Sequence, residues 1–321
     1  MITLETIQQA RATIGDTLEV TPLITDLLLS ERLGRRVRLK AESLQRTGSF
    51  KPRGGLNWIR TASRKELAKG LGAVSAGNHA LGLAWAARAA GVSVTIVMPE
   101  NASAFKVEGS RALGAEVILH GDINDAWALM HRLVEERGLT LVHPYDEPRI
   151  IAGQGTVGLE ILEQAPEVSL LLCPIGGGGL ISGIGTAVRA LRPELQLIGV
   201  EPLGAASMAH AWAQGGPQRL DKVDTCAKSL AAAIVGKHTY PLCRQHVDDL
   251  IGVSETAIHD AMRHLMINAK LYVEPGAAVG VAALLQGNLE LPADGDIVVV
   301  VTGGNMGWEE LGEFLPLMVA G

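Results

Sequence analysis

The chain has 321 residues, 47% of them apolar and 19% charged, enough apolar material for a large core, which excludes a disordered polymer. Lys and Arg total 28 against 34 Asp and Glu, a net charge of −6 without a basic run, and this excludes nucleic acid as a partner. Cys173, Cys226 and Cys243 share no metal-type spacing and are odd in number, which argues against a disulfide framework and for a reducing compartment. Residues 1–10 carry Glu5, Gln8 and Gln9 where a signal peptide needs an apolar block. No stretch reaches about 18 uninterrupted apolar residues. A cytoplasmic chain with no membrane partner is expected.

Short apolar runs alternate with Ala-rich amphipathic stretches across junctions of Gly, Pro or Asn, the pattern of an α/β fold. In chain order the pattern predicts a strand at Val37–Lys40, a helix at Asn57–Lys69, a strand at Leu71–Ser75 and a helix at Ala80–Ala90. Next come a strand at Ser93–Met98, a helix at Ala104–Leu113, a strand at Glu116–Leu119, a helix at Ile123–Arg137 and a strand at Leu139–His143. Beyond these, helices are predicted at Thr156–Glu163, Leu180–Leu191, Glu255–Asn268 and Ala277–Leu285. Strands are predicted at Ser169–Pro174, Gln196–Glu201 and Asp296–Thr302, with loop and short helix over 202–230. Runs apolar on both faces suit a buried parallel sheet. Length suggests two domains, and residues 54–147 hold a nearly complete set of βα units. No further regulatory domain is expected after Asn305, which 16 residues follow.

Four segments carry chemistry. Gly176, Gly177, Gly178 and Gly179 lie between the apolar run LLLCPI and the helix at Leu180; they permit a turn whose N–H groups converge on an anion such as a phosphate, or a tight packing turn. No register there satisfies a dinucleotide fingerprint or a nucleotide P-loop, which weakens a nicotinamide-dependent oxidoreductase reading. The turn from Thr47 to Gly55 contains Phe50, Lys51 and Arg53, and a lysine held in a partly apolar pocket becomes an amine nucleophile or base. Taken alone, Lys51 fits an ordinary surface charge as well. Ser75, Ala76, Gly77, Asn78 and His79 follow a strand and open a helix, which suits either a carboxylate or a plain N-cap. Thr302, Gly303, Gly304 and Asn305 follow a buried strand, where ligand crevices lie in doubly wound sheets.

In this order the segments resemble the fold-type II pyridoxal-phosphate enzymes, most closely the serine/threonine dehydratase family with its serine racemase relatives. The resemblance rests on Thr21-Pro22-Leu23, the run Glu42 to Lys51, SAGNHA from Ser75, Gly153-Gln154-Gly155-Thr156, Pro174-Ile175 with the four glycines and Leu180, Gly199-Val200-Glu201-Pro202, and Thr302 to Asn305. It implies a two-domain α/β fold of the tryptophan synthase β type, with parallel-rich open sheets flanked by helices. Residues 1–53 plus 148–321 would form a large cofactor-binding domain and 54–147 a small substrate-side domain. Pyridoxal 5′-phosphate is the implied cofactor. Lys51 is implied as its Schiff-base lysine and the catalytic base, and Phe50 as a neighbour of the ring. Gly176, Gly177, Gly178, Gly179 and Leu180 would hold the phosphate, Asn78 the ring hydroxyl and Thr302 the pyridine nitrogen. Ser75, Ala76, Gly77, Asn78 and His79 would bind the substrate carboxylate.

The activity so implied is elimination of water from a β-hydroxy amino acid of the serine/threonine type, giving a 2-oxo acid and ammonia, by a homodimer. Ala76 stands where racemases of the family place a second hydroxyl, which favours dehydration over serine racemase-type activity. Leu81 replaces a common glutamine, and Ala227-Lys228-Ser229 replaces an A-D-G stretch, leaving open a bulkier substrate such as 3-phenylserine or hydroxyaspartate. Glu201 matches a cation-binding glutamate of the family, but Leu203–His210 contains no second acid, which argues against a divalent-cation requirement.

Overall fold

The computed structural model describes residues 2–319. Its first sheet has six strands in the order β1-β2-β10-β7-β8-β9: β1 Leu23–Asp26, β2 Val37–Ala41, β7 Val168–Pro174, β8 Gln196–Pro202, β9 Asp249–Val253 and β10 Asp296–Val301. Only the β1–β2 pair is antiparallel. The second sheet has four parallel strands in the order β5-β4-β3-β6: β3 Leu71–Val74, β4 Val94–Met98, β5 Glu116–Leu119 and β6 Thr140–Leu141. Helical crossovers join the parallel neighbours, as parallel pairing requires.

Period-two patterning explains how the six-stranded sheet buries both faces. Ile297, Val299 and Val301 of β10 join Leu170, Leu172 and helix Pro275–Gln286 in one core. Val298 and Val300 point the other way, into a core with Leu171, Cys173 and helices Pro148–Gln164 and Gly179–Leu191. Ala73, Ile96 and Met98 of the four-stranded sheet pack with Leu83, Ala84 and Ala87 of helix Asn78–Ala89.

Several expected bounds move. The helix expected over 57–69 is two helices, Lys51–Thr61 and Arg64–Leu67. Ala62 turns extended, and Ser63 with Glu66 forms a reciprocal capping box that starts the second helix afresh. The helix expected from Thr156 begins at Pro148, because Glu147 accepts from the Ile150 N–H and proline suits the first helical position. The strand expected at 139–143 shortens to β6, which frees His143–Asp146 as a loop. Elements outside the expected set are β1, β9 and helices Leu4–Ile14, Leu27–Leu33, Thr239–His246 and Trp308–Val319. The interval 202–230 holds short helices, as expected, the longest being Ser207–Gln214.

Beneath the helix that begins at Lys51 lies a buried ionic cluster. Arg53, 1% exposed, pairs through Nε with Glu42 at 2.8 Å and through Nη1 with Glu160 at 2.6 Å. Lys40, also buried, pairs with Glu160 and donates to Thr21 O at 2.8 Å. Burial pushes the Glu160 carboxyl up, but Arg53 and Lys40 hold it below the usual carboxylate range. The cluster ties β2, the Lys51 helix and helix Pro148–Gln164 together. Gly54 and Gly153 let the two helices approach closely, since a Cβ on Gly153 would lie 2.7 Å from the Gly54 Cα.

Arg53→Met leaves buried Glu42 without a cation and Glu160 with Lys40 alone, so the fold should lose about 3–5 kcal/mol at neutral pH, read from urea unfolding. That deficit should shrink as the pH falls, because Glu160, no longer held down by Arg53, then protonates at less cost. A loss below about 1 kcal/mol, or one independent of pH, would contradict the assignment.

Candidate active site

Three of the four segments singled out above lie where the strands of both sheets end, together with the His143–Asp146 loop, and the fourth, the Lys51 turn, is fastened beside them. The tetraglycine run follows β7, Thr302 follows β10, Ser75–His79 follows β3 and the His143–Asp146 loop follows β6. Carboxyl ends of parallel strands are where open α/β sheets place their ligand crevices. The turn before Lys51 is pinned to the end of β10: Ser49 bridges Gly303, Phe50 N donates to Thr302 O at 3.2 Å, and Gly304 N donates to Gly48 O at 2.9 Å. Thr47, in this turn, holds φ +59°, a left-handed conformation that side-chain-bearing residues adopt at a cost.

Lys51 is the first residue of its helix. Its Nζ donates to the Pro144 carbonyl at 2.8 Å and lies 5.2 Å from the centre of the Phe50 ring. Burial pushes its pKa down to about 8, against the opposing pull of the Glu274 carboxylate. A substantial neutral fraction at physiological pH is therefore built in, as a nucleophile or base requires.

The glycines form a cradle that admits no side chains. A Cβ on Gly177 would lie 2.3 Å from the Tyr145 ring, and one on Gly179 2.9 Å from the Tyr145 carbonyl. Gly178 has φ +91° and caps helix Gly179–Leu191, whose second residue, Leu180, is buried. Thr239 Oγ1 donates to Gly177 O at 2.7 Å, and Asp146 accepts from the N–H groups of Lys237, His238 and Thr239, so the cradle is held from outside. Tyr145 Oη donates to Ile234 O at 2.9 Å. Ser229 and Leu230 also border the site: Ser229 Oγ lies 2.2 Å from where Gly276 would carry a Cβ, and Leu230 lies beside Gly176. Lys228 is exposed, and its charge is felt at Asp224 and Cys226.

Asn78 and His79 open helix Asn78–Ala89. Asn78 Oδ1 accepts from Asn305 Nδ2 at 2.8 Å, and Asn78 Nδ2 donates to Glu274 Oε1. Asn305 Nδ2 also donates to Thr47 O at 2.6 Å, and Lys106 Nζ meets Glu274 Oε2 at 3.4 Å. These partners fix which way the Asn78 amide points and leave its second Nδ2 hydrogen for a ligand. His79 is buried; its Nε2 pairs with Val142 O at 3.2 Å, its Nδ1 has no partner among the described residues, and desolvation pushes its pKa down to about 3, so the ring is neutral. Ser75 Oγ accepts from Gly77 N at 3.2 Å, and a Cβ on Gly77 would meet nothing within 4 Å, so the loop opens to free space at Gly77.

Sequence reasoning assigned no role to Glu274, Lys106, Asn305, Tyr145, Asp146 or Thr239. One signal was present for Glu274. An acid directly before a Pro that begins an apolar helix looks like a cap, but Glu274 makes no capping bond, and its carboxylate turns instead to Asn78 and Lys106. Glu201, carried by resemblance to a cation site, accepts from Met208 N and Ala209 N at 2.8 and 2.9 Å and so caps helix Ser207–Gln214. Among the described residues no cluster of three or more His, Cys, Asp or Glu could hold a metal ion.

This arrangement fits pyridoxal phosphate on structural grounds: an anion cradle of glycines, a desolvated lysine, an amide aimed by fixed partners, and an uncharged Thr302, 4% exposed, at the strand end. Comparison with known proteins agrees. The family model described as pyridoxal-phosphate dependent enzyme matches residues 14–303. An L-threonine ammonia-lyase of Thermotoga maritima is 42% identical over 308 residues, 95% of this chain and 76% of that protein. An L-threonine dehydratase of Staphylococcus aureus is 39% identical over 310 residues, 95% of this chain and 90% of that one. The solved structure of maize serine racemase superposes with a TM-score of 0.93 at 35% identity, covering 99% of this chain and 98% of that one. The chain belongs to the pyridoxal-phosphate dependent enzyme family, in its fold-type II branch.

Proposed function

We propose that the protein eliminates water from a β-hydroxy amino acid of the serine/threonine type, releasing a 2-oxo acid and ammonia. The observation that carries this is the Lys51 amine, depressed to about 8 and held 2.8 Å from Pro144 O among the glycine cradle, the Asn78 amide and Thr302. Gly176–Gly179 and Leu180 would hold the cofactor phosphate, and Asn78, Phe50 and Thr302 its ring. Bound there, pyridoxal phosphate supplies an electron sink for the carbon that loses its proton.

In this reading Lys51, neutral in a dry setting, takes the α-proton as general base. The N–H groups around Ser75–His79 hold the substrate carboxylate at the start of a helix, where backbone donors and the helix dipole favour an anion. Thr302 offers a neutral hydroxyl rather than an acid toward the ring, which favours rapid loss of the β-hydroxyl over long-lived carbanion chemistry. Ala76 carries no hydroxyl with which to return a proton from the opposite face, so elimination is preferred to inversion. Asn305 and Glu274 act through Asn78 by fixing its amide, and Glu274 also sets the proton affinity of Lys51.

Two domains are part of the same reading, with residues 1–53 and 148–321 around the cofactor and 54–147 on the substrate side. The division of strands between the two sheets supports it. A homodimer is favoured by exposed Leu27 and Ile267, on helices tied together by the Asp26–His264 pair. Three free cysteines suit the cytoplasm, and no helix among the described residues is long and apolar enough to cross a membrane. Capping by Glu201, without a second acid beside it, supports turnover without a divalent cation.

Lys51→Ala should abolish both the visible absorbance of the bound cofactor and 2-oxo acid formation from threonine and serine; turnover within ten-fold of wild type would overturn the proposal. Uptake of pyridoxal phosphate by apoenzyme should rise with pH through a midpoint of about 8, as Lys51 loses its proton. Glu274→Gln removes the charge that raises the Lys51 pKa, so it should move that midpoint to lower pH. An unchanged or higher midpoint would contradict the role given to Glu274.

A further inference from the structure

We propose that the substrate carries an aromatic group on Cβ, seated against Trp127 and His143. This inference rests on the lyase reading above and names its substrate class. Large aromatics are scarce here, with 5 Trp, 3 Tyr and 3 Phe in 321 residues. Even so, a continuous row of rings runs beside the reactive lysine. Trp127 stacks on His143 with centroids 5.3 Å apart, and His143 meets Tyr145 edge-on at 4.6 Å.

The row is anchored to the site at two points. Pro144, between His143 and Tyr145, supplies the carbonyl bonded to Lys51 Nζ at 2.8 Å, and the Lys51 charge is felt at His143. At its far end the Tyr145 ring lies against Gly177 of the cradle. Tyr145 therefore belongs to the phosphate side, while Trp127 and His143 extend away from it. Trp127 sits on helix Ile123–Arg137, which packs on β3 and β4, and β3 leads into the Ser75–Asn78 loop assigned to the substrate carboxylate. That loop is small at Ala76 and open at Gly77, leaving room for bulk beyond the α-carbon.

The aromatic row itself carries no charge. Burial pushes His143 down to about 4, with Lys51 and Lys237 lowering it further and only Asp146 opposing them, so its ring is neutral near pH 7. The neutral imidazole, set between Trp127 and Tyr145 with its Nδ1 accepting from the Asp146 N–H at 2.9 Å, adds an apolar ring and no charge of its own to the row. Trp127, His143 and Tyr145 are all only partly buried, and Trp127 also stacks on His131 with centroids 5.9 Å apart. A threonine methyl is too small to use the row, whereas an aryl ring gains stacking and apolar burial.

The reaction balances without a further reagent. The Cα–H and Cβ–O bonds break, and the hydroxyl leaves with a proton as water. The resulting enamine tautomerises to an imine, and water adds to release ammonium and the arylpyruvate. Overall, an aryl-serine gives an arylpyruvate and ammonium.

The test compares kcat/KM of the pyridoxal-phosphate-loaded enzyme for threo-3-phenylserine, L-threonine, L-serine and 3-hydroxyaspartate, in wild type and in Trp127→Leu, which keeps an apolar side chain but removes the flat ring. Phenylserine should exceed threonine by at least about ten-fold, and Trp127→Leu should lower that ratio by about ten-fold. Independently of turnover, calorimetry on wild type should find 3-phenylpropionate bound at least about ten-fold more tightly than butyrate. Preference for threonine, serine or hydroxyaspartate, equal loss on all substrates in Trp127→Leu, or equal binding of the two acids would overturn the aryl assignment alone. Absence of turnover with every substrate would overturn the lyase reading together with it.

Discussion

An amine works as a base only when it is not already an ammonium, and the arrangement around Lys51 is organised by that constraint. Burial removes water from the charged form and so lowers the proton affinity of the amine. Glu274 opposes the desolvation, and the pKa comes to about 8. The amine is thus held between two failures: a solvated cation that cannot accept a proton, and a base too weak to take one.

Position matters as much as proton affinity, and here a second buried charge system enters. Arg53 lies two residues beyond Lys51 and is gripped by Glu42 and Glu160, so the first turn of the helix is tied to β2 and helix Pro148–Gln164. On the other side, Asn305 joins the Thr47 carbonyl to Asn78, and Glu274 joins Asn78 to Lys106. The Lys51 turn and the Asn78 turn come from different sheets and are 27 residues apart in the chain, yet these polar links bring them to one place. Each link is buried, or part-buried in the case of Asn305 to Thr47, and has its partners, the condition under which such networks specify a single arrangement.

Much of this was legible in the chain because local chemistry demanded it. The runs that became β4, β7, β8 and β10 are apolar on both faces, and only buried parallel strands use such runs at that length. Helix Ile123–Arg137 matches expectation at both ends, with Asp122 as cap and Gly138 in the left-handed conformation after it. The glycine run, SAGNHA and the Lys51 turn could be read because backbone approach and a lone amine restrict residue type. Edge strands β1 and β9 were missed because they are short and only partly buried, so their patterning is weak. Helix Leu4–Ile14 buries only Ile7, Ala10 and Ile14, too thin a stripe to stand out. Contacts such as Asn78 with Glu274, 196 residues apart, and Tyr145 against Gly177 exist only in the folded chain. The Trp127–His143 stack belongs to the same class: helix periodicity accounts for Trp127 as a packing residue, and only tertiary structure places it beside the loop that follows β6.

The most direct measurement is borohydride reduction of the purified yellow enzyme, followed by proteolysis and mass spectrometry to locate the pyridoxyl group. The account predicts one modified residue, Lys51, in the peptide that begins the helix behind the Thr47 turn. Modification at Lys106 or any other lysine in place of Lys51, or no modification in a protein that retains its yellow colour, would contradict it.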